Sequence, residues 1–312
     1  MPRSDCVGFF WDDMPIERVK KEKEVKTPPE RTWERPDYLP GLLLAYQFAP
    51  DLYTPETLMA AAIAKEELIY DIECYPNYFL ISFKSVQTKK VMMIESYNDS
   101  PMDLSMLKWI VTTFKIISFN GVWYDEPIFN IALTGASNAK LYEATIDIIV
   151  YGRPSWQVLR SHKVKKLHTN HVDLKEVCPL QGSLKTYAGR LHCKKMQDLP
   201  FKPGTMLSPQ QAMIVRMYCV NDLDNTALLR YELREELDLR DHLTKEYGVD
   251  VRSKSDAQIA EAVIQHELEA LGSSHLYPPR IQPGAIHKYT RPNFLRFEDE
   301  YMTSIMQIVL DA

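Results

Sequence analysis

Short apolar runs along the first half of the chain predict strands. Residues 68–72 form one run that ends on acidic positions, and residues 79–83 and 91–94 follow it closely. Apolar runs of this length between turn residues are typical of buried strands. Because few residues separate the three runs, we expect them to pair as an antiparallel sheet that opens the folded core.

Helical spacing appears after these three strands. Residues 102–113 and 125–133 have the helical pattern, and the apolar runs 116–119 and 146–151 predict two more strands. Strands that alternate with helices after an opening meander are typical of a mixed α/β sheet with helices on its faces. We therefore predict an α/β fold with a mixed sheet flanked by helices.

A strong helix start stands at Ser208. Serine is a favoured N-cap, Pro209 suits the first turn, and Gln211 occupies the capping-box position. The helical pattern runs from there to about Leu239. We expect one long helix, preceded by a loop-rich stretch with short helices at 155–207.

The two ends of the chain differ from this core. Residues 1–40 combine mixed charge with prolines and little to bury, which predicts an extended arm. Residues 255–271 and 297–310 predict helices, and 277–292 predicts a hairpin or extended connection. The predicted organisation has three regions: an arm with a lead-in helix at 1–65, a folded domain at 66–240, and a mostly helical appendage at 241–312.

Composition narrows the class of protein. The 312 residues carry a net charge of −5, with 45% hydrophobic and 25% charged residues, as is usual for globular proteins. The five cysteines are an odd number without a Cys-x-x-Cys pair, which suits a reducing compartment. No apolar run approaches the roughly 18–20 residues that span a bilayer. We expect a cytoplasmic protein with no membrane association.

Two acids stand at the end of the first predicted strand. Asp71 and Glu73 are two residues apart, so their side chains project from the same side of a strand. Like charges placed together repel unless a cation lies between them, and Mg²⁺ or Mn²⁺ prefers such oxygen ligands. Taken alone, the pair also fits ordinary solvated acids at a strand end.

Two further fragments carry acids. Asn120 follows a short buried strand, and Tyr124 and Asp125 open the next predicted helix. Tyr218 and Asp222 lie four residues apart on the long helix, so they share one of its faces. A phenol and a carboxylate so placed can hold a water molecule and a metal ion. Each fragment alone also fits a structural role.

The three fragments together resemble the tyrosine-bearing branch of the DEDD superfamily of 3′–5′ exonucleases. The motifs match as Asp71-x-Glu73, Asn120-x-x-x-Tyr124-Asp125 and Tyr218-x-x-x-Asp222, over roughly residues 66–240 and in the family's order. More specifically, the chain is similar to the proofreading region of phage-type family A DNA polymerases. Residues 184–188 and 253–261 add less specific support.

The resemblance implies an RNase H-like sheet and a two-metal mechanism. It implies that Asp71, Glu73 and Asp222 hold one Mg²⁺ or Mn²⁺ ion, that Asp71 bridges to a second ion supported by Asp125, and that Tyr218 aims the attacking water. The product would be a 5′-mononucleotide released from a DNA 3′ end. The role implied is proofreading in the DNA replication of a bacteriophage.

A basic segment lies between the second and third motifs. Residues 160–195 contain nine Lys or Arg against two acids, in a chain whose total charge is negative. If it lines the cleft, this segment would neutralise phosphates of single-stranded DNA. The predicted substrate-binding residues lie in this segment and in the second motif: Asn120, Tyr124, Lys185, Tyr187 and Arg190.

We interpret the remaining acids and histidines as structural residues. His168, His171 and Asp173 have the spacing of a metal cluster, but a basic loop without cysteine does not favour zinc. Asp147 reads as structural, and Asp224 points away from the face that carries Asp222.

Two alternatives stay open. One is an exoribonuclease of the same branch that trims RNA 3′ ends, and the other is a non-catalytic scaffold subunit that binds a polymerase. Polymerase signatures do not follow residue 240, so we expect the chain to be a separate exonuclease subunit or a part cut from a longer polymerase. A DNA polymerase is the expected protein partner, docked by residues 241–312.

Overall fold

The computed structural model of the protein describes residues 50–272 and 290–311. The predicted arm at 1–40 lies outside the described residues, as does most of the predicted hairpin at 277–292. The chain divides into two compact units between Asp238 and Leu239, close to the boundary at 240 that the sequence predicts. Among the described helices, none combines the length and apolar character needed to cross a membrane.

The first unit is built on a mixed sheet of five strands in the order β3-β2-β1-β4-β5. The first three strands form an antiparallel meander, and the last two run parallel to β1. The predicted α/β class with a mixed sheet is confirmed. The strands are β1 (Glu67–Tyr75), β2 (Tyr78–Ser85), β3 (Val91–Tyr97), β4 (Lys115–Ser118) and β5 (Asn170–Asp173).

Helices flank this sheet, and their starts follow from local capping. Thr54 and Ser208 each form a capping box ahead of a proline in the first turn. The helices of the first unit are α1 (Pro55–Ile63), α2 (Leu104–Thr113), α3 (Asp125–Ala132), α4 (Asn138–Ile149), α5 (Ser155–Ser161), α6 (Leu184–Arg190) and α7 (Pro209–Glu232). Helix α8 (Arg234–Tyr247) begins just before the division between the units, and the second unit also contains α9 (Asp256–Ala270) and α10 (Glu300–Asp311).

Three sequence-based assignments are corrected by the structure. The strand predicted at 146–151 is wrong, because Ser137 caps a helix that continues to Ile149 and the last apolar residues of the run are exposed rather than paired. Strand β5 lies inside the stretch interpreted as loops and short helices. The long helix predicted from Ser208 to Leu239 is interrupted at Leu233, which separates α7 from α8.

The two faces of the sheet carry separate cores. Alternate residues Leu68, Tyr70 and Ile72 of β1 join the larger core beneath α2, α3 and α4. Residues Ile69 and Tyr75 project to the other side and pack against α7. Because side chains of a strand alternate between faces, this arrangement also assigns Asp71 and Glu73 to the α7 side.

Candidate active site

The side of β1 that faces α7 is apolar at both ends and acidic in the middle. Ile69 packs with Leu223 and Leu229 of α7, and Tyr75 packs with the earlier turns of the same helix. Between these two contacts, Asp71 and Glu73 meet the turn of α7 that carries Tyr218 and Asp222. The apolar contacts on either side therefore hold the acids against the helix.

Three carboxylates converge here. One oxygen each from Asp71, Glu73 and Asp222 lies within 4.8 Å of the others. Within residues 50–272 and 290–311, this is the one group of three or more His, Cys, Asp and Glu side chains spaced to hold a metal ion. The cluster can hold a metal ion, which is the part of the predicted metal site that the structure supports.

Asp125 contacts β1 at the edge of that strand that pairs with β4. The pairing of β1 with β4 covers Glu67 to Ile69 only, so the backbone N–H of Ile72 has no strand partner there. That N–H donates to Asp125 Oδ1 at 3.1 Å. The fourth acid, buried in the first turn of α3, is thus tied to β1 between Asp71 and Glu73.

Burial and mutual repulsion govern the charge of this cluster. Burial, with a smaller contribution from Asp222, raises the pKa of Asp71 to about 8. Burial and then the charge of Asp71 raise the pKa values of Glu73 and Asp125 well above their usual range. The pKa of Asp222 is also raised by burial, although Tyr218 and Lys185 oppose the shift. Without a cation, the cluster therefore holds protons at neutral pH.

Tyr218 is buried beside the acids. Burial, followed by the charges of Glu73 and Asp222, raises the pKa of its phenol far above neutral pH. The hydroxyl therefore keeps its proton and can orient a neighbouring group by hydrogen bonding, but it cannot serve as a base near pH 7. Lys185 Nζ lies 5.4 Å from the centroid of the Tyr218 ring. It is the cation that α6 places next to this site.

A tight turn between β4 and α3 positions Asp125. Asn120 has a left-handed φ of 68°, and Gly121 lies so close to Ser118 and the Tyr70 hydroxyl that a Cβ would collide with both. Asp173 holds the turn, because its carboxylate accepts the backbone N–H groups of Asn120 at 2.7 Å and Val122 at 3.0 Å.

The structural role of Asp173 was missed by sequence reasoning. It depends on β5, whose four residues give too short a pattern to detect. Cys219 was missed as well: its thiol lies 3.6 Å from Asp71 Oδ2, beneath α7. The third motif, Tyr-Cys-Val-Asn-Asp, contains this cysteine, but only the packing of α7 on β1 places it against Asp71.

The predicted substrate-binding residues occupy different environments. Lys185 faces the cluster, whereas the Asn120 side chain accepts a hydrogen bond from Lys175 at 2.7 Å. The Tyr124 hydroxyl hydrogen-bonds with that of Thr145, and its ring packs on the core. Tyr187 is buried in the core under α7, and Arg190 lies exposed with its guanidinium 5.8 Å from the Tyr187 ring centroid. Contact of these five residues with a substrate stays a prediction.

The residues that the sequence assigns to structural roles occupy such roles. Asp147 forms an ion pair with Arg153, and Asp224 forms one with Lys84, away from the acid cluster. His171 Nε2 lies 2.8 Å from the Ser118 hydroxyl. Asp173 accepts hydrogen bonds from backbone N–H groups. In the described part of the chain, His168, His171 and Asp173 are not grouped closely enough to hold a metal ion.

The donor set fits a hard divalent cation. Carboxylate oxygens are the ligands that Mg²⁺ and Mn²⁺ prefer, and a cation would stabilise the ionised form of these acids, which burial and then mutual repulsion disfavour. Asp71, Glu73 and Asp222 would hold such an ion, with Asp125 beside them. Comparisons of the chain with models of protein families, with curated proteins and with solved structures return no match.

Proposed function

We propose that the chain is a metal-dependent 3′–5′ exonuclease that acts on DNA. The observation that carries the proposal is the convergence of Asp71, Glu73 and Asp222 beside the buried phenol of Tyr218. Three adjacent carboxylates with raised pKa values are poorly suited to a merely structural role, because the pH needed to ionise them also destabilises the fold. They are well suited to binding Mg²⁺ or Mn²⁺.

The arrangement of the sheet supports an RNase H-like fold for this chain. An antiparallel meander is followed by two strands parallel to β1, and the acids lie on central β1 and on the flanking helices α3 and α7. Ligand sites of open α/β sheets lie at the carboxyl ends of parallel strands, which is where the turn after β4 presents Asp125.

Each residue has a defined role in the proposed reaction. Two divalent ions would supply an activated water and stabilise the leaving 3′ oxygen. The carboxylates of Asp71, Glu73 and Asp222 would bind a metal ion. Asp125 is held beside them by the hydrogen bond that it accepts from the N–H of Ile72. The Tyr218 hydroxyl orients the attacking water by a hydrogen bond. Water adds to the terminal phosphorus, the bond to the 3′ oxygen breaks, and that oxygen takes a proton, so a 5′-mononucleotide is released.

Positive charge near the site suits a polyanionic strand. Lys185 lies next to Tyr218, and the basic segment 160–195 belongs to the same unit as the acids. We extend the proposal to proofreading in phage-type DNA replication, with a separate DNA polymerase as the protein partner and residues 241–312 as the docking region. Exoribonuclease activity is the alternative that the same acids allow.

A degradation assay tests the proposal. Single-stranded DNA and RNA with a 5′ label should be shortened stepwise from the 3′ end in Mg²⁺, with DNA the better substrate. Asp71→Asn should lower the rate by more than about 100-fold, since loss of an outer hydrogen-bond partner of a metal ligand alone costs about 10- to 100-fold. Release of mononucleotides with a 3′ phosphate, or cleavage that persists in Asp71→Asn, would exclude this site.

Asp224→Asn is the matched control. Asp224 lies on the same helix, two residues from Asp222, but its half-exposed side chain pairs with Lys84. The partner Lys84 is largely buried, but asparagine keeps a side-chain oxygen that can accept the hydrogen bond of its ammonium group. The control should therefore retain its activity, so that loss of activity in Asp71→Asn is not explained by removal of negative charge in general, and urea unfolding of Asp224→Asn shows that the protein is folded.

A further inference from the structure

Three buried polar atoms of residues 221–225, on α7, have no hydrogen-bond partner. They are Asn221 Nδ2, Asp222 Oδ1 and Asn225 Nδ2. The three residues are only 7%, 8% and 2% exposed, so water does not readily satisfy these atoms. A buried polar group left unpaired costs about 1–3 kcal/mol, and three on one turn of a helix call for an explanation.

The three atoms are chemically complementary. An amide Nδ2 only donates hydrogen bonds, and a carboxylate oxygen only accepts them. Asn225 is three residues after Asp222, which places both side chains on neighbouring positions of one helix face. Both amides act to lower the pKa of Asp222 against the effect of its burial, although neither makes a hydrogen bond to the carboxylate in this structure. The two donors are therefore near the carboxylate and can pair with it.

We infer that Asn225, assisted by Asn221, is a positioning residue that orients the Asp222 carboxylate for metal binding. This inference rests on the proposed function only in that the acid cluster binds a divalent cation. Carboxylates that ligate metals are commonly held by an outer hydrogen bond, which fixes their orientation. Here one carboxylate oxygen contributes to the cluster with Asp71 and Glu73, while the amides act on the same group from within α7.

A third donor, the phenol of Tyr218, acts on the Asp222 carboxylate from the preceding turn, and it opposes the raised pKa of Asp222 more than either amide does. Lys185 stands over the Tyr218 ring. Thr226 donates to the backbone carbonyl of Asp222 at 2.9 Å and not to its side chain. The Nδ2 group of a purely structural asparagine would instead be paired, as that of Asn138 is with the Ser96 carbonyl at 3.2 Å.

Asn225→Leu tests the inference, because leucine keeps the volume and removes the donor. Mn²⁺ is titrated into the full chain without nucleic acid, and binding is followed by electron paramagnetic resonance. The midpoint should rise by about 10- to 100-fold relative to the wild type. The metal-free variant should be at least as stable as the wild type in urea, since an unpaired buried amide is lost. Asn225→Ala repeats the measurement in case leucine is too bulky.

Asn138→Leu is the control with the opposite signature. It removes a buried Nδ2 donor that is paired, so it should lower stability and leave the Mn²⁺ midpoint unchanged. Equal midpoints in the wild type and both Asn225 variants would overturn the inference. A wild type that binds Mn²⁺ but degrades no nucleic acid would refute the proposed function alone. A wild type that binds no Mn²⁺ would overturn both.

Discussion

Tyr218 and Asp222 stand one turn apart on α7, yet their local environments assign them different tasks. The carboxylate of Asp222 shares a cluster with Asp71 and Glu73, and the phenol of Tyr218 is kept protonated by burial and by the same acids. A hydroxyl that does not ionise acts by directing a hydrogen bond. The chemistry of each residue at the site is therefore set by neighbouring side chains from both β1 and α7.

Tyr218→Phe removes that hydroxyl and keeps the ring. We expect the rate of DNA hydrolysis to fall by about 100-fold, the typical cost of removing one oriented hydrogen-bond donor at a reacting centre. The dissociation constant for single-stranded DNA should change little, since the carboxylates and Lys185 remain. Single-turnover kinetics and fluorescence anisotropy measure the two effects. Equal losses in rate and DNA binding would identify Tyr218 as structural.

Residue periodicity predicts some of these neighbours and misses others. Spacing by two on a strand and by four on a helix is enough to group Asp71 with Glu73 and Tyr218 with Asp222. It says nothing of Asp173, whose carboxylate meets the backbone at Asn120 only after β5 has joined the sheet. Roles that depend on contacts between distant segments leave no local signal.

At the scale of elements, the turn between β4 and α3 determines where Asp125 lies. Gly121 packs against Ser118, whose hydroxyl is already engaged with His171, and against the Tyr70 hydroxyl. Since Ser118 and Tyr70 are fully buried, neither can move aside at little cost. The glycine is thus needed for close approach of the turn to the sheet.

Gly121→Ala should destabilise the protein by about 1–3 kcal/mol, the usual cost of overpacking a buried site. The added Cβ would come within 2.9 Å of the Tyr70 hydroxyl oxygen and nearer still to Ser118. Urea unfolding measures the change. Gly189→Ala in α6 is the matched control: its Cβ would meet no atom within 4 Å, and alanine favours a helix by about 0.5–1 kcal/mol. If both variants lost the same stability, steric closeness at Gly121 would not be the cause.

Helix α4 marks the limit of element prediction. The run 146–151 contains Ile and Val residues that suit a strand, but its start at Ser137 and its packing on the core make it a helix. Intrinsic preferences of single residues differ by less than about 1 kcal/mol, so tertiary packing overrides them. The helix start at Ser208, where three capping signals agree, was predicted correctly.

At the scale of the whole molecule, the acid cluster links folding to pH. Asp71 has a pKa of about 8 in the folded chain and an ordinary carboxyl pKa when unfolded. Between about pH 4 and 8 the folded state therefore binds more protons than the unfolded state. Stability contributed by this group is present at low pH and is lost as the pH rises through that window. A bound cation would restore it by replacing the protons.

Asp71→Asn should accordingly stabilise the metal-free protein, and the gain over the wild type should grow from pH 5 to pH 8. Each kcal/mol relieved raises Tm by about 2–4 °C for a domain of this size. Mg²⁺ should raise Tm of the wild type, more strongly at pH 8 than at pH 5, and should not raise that of Asp71→Asn to the same extent. Thermal scans in EDTA and in Mg²⁺ measure both. If Asp71→Asn raised Tm by the same amount at pH 5 and pH 8, the raised pKa of Asp71 would be contradicted.

The sequence by itself determined the α/β class, the order of most elements and the residues that could carry the chemistry, because alternation, helical spacing and capping are local properties. The tertiary structure decided which of these residues meet. Asp71 lies 148 positions from Cys219, and their contact arises only when α7 packs across β1. The same packing encloses Asn225 beside Asp222, and β5 brings Asp173 beneath the turn that carries Asp125. Burial and charge repulsion, which raise the pKa values of the acids, exist only once these segments assemble.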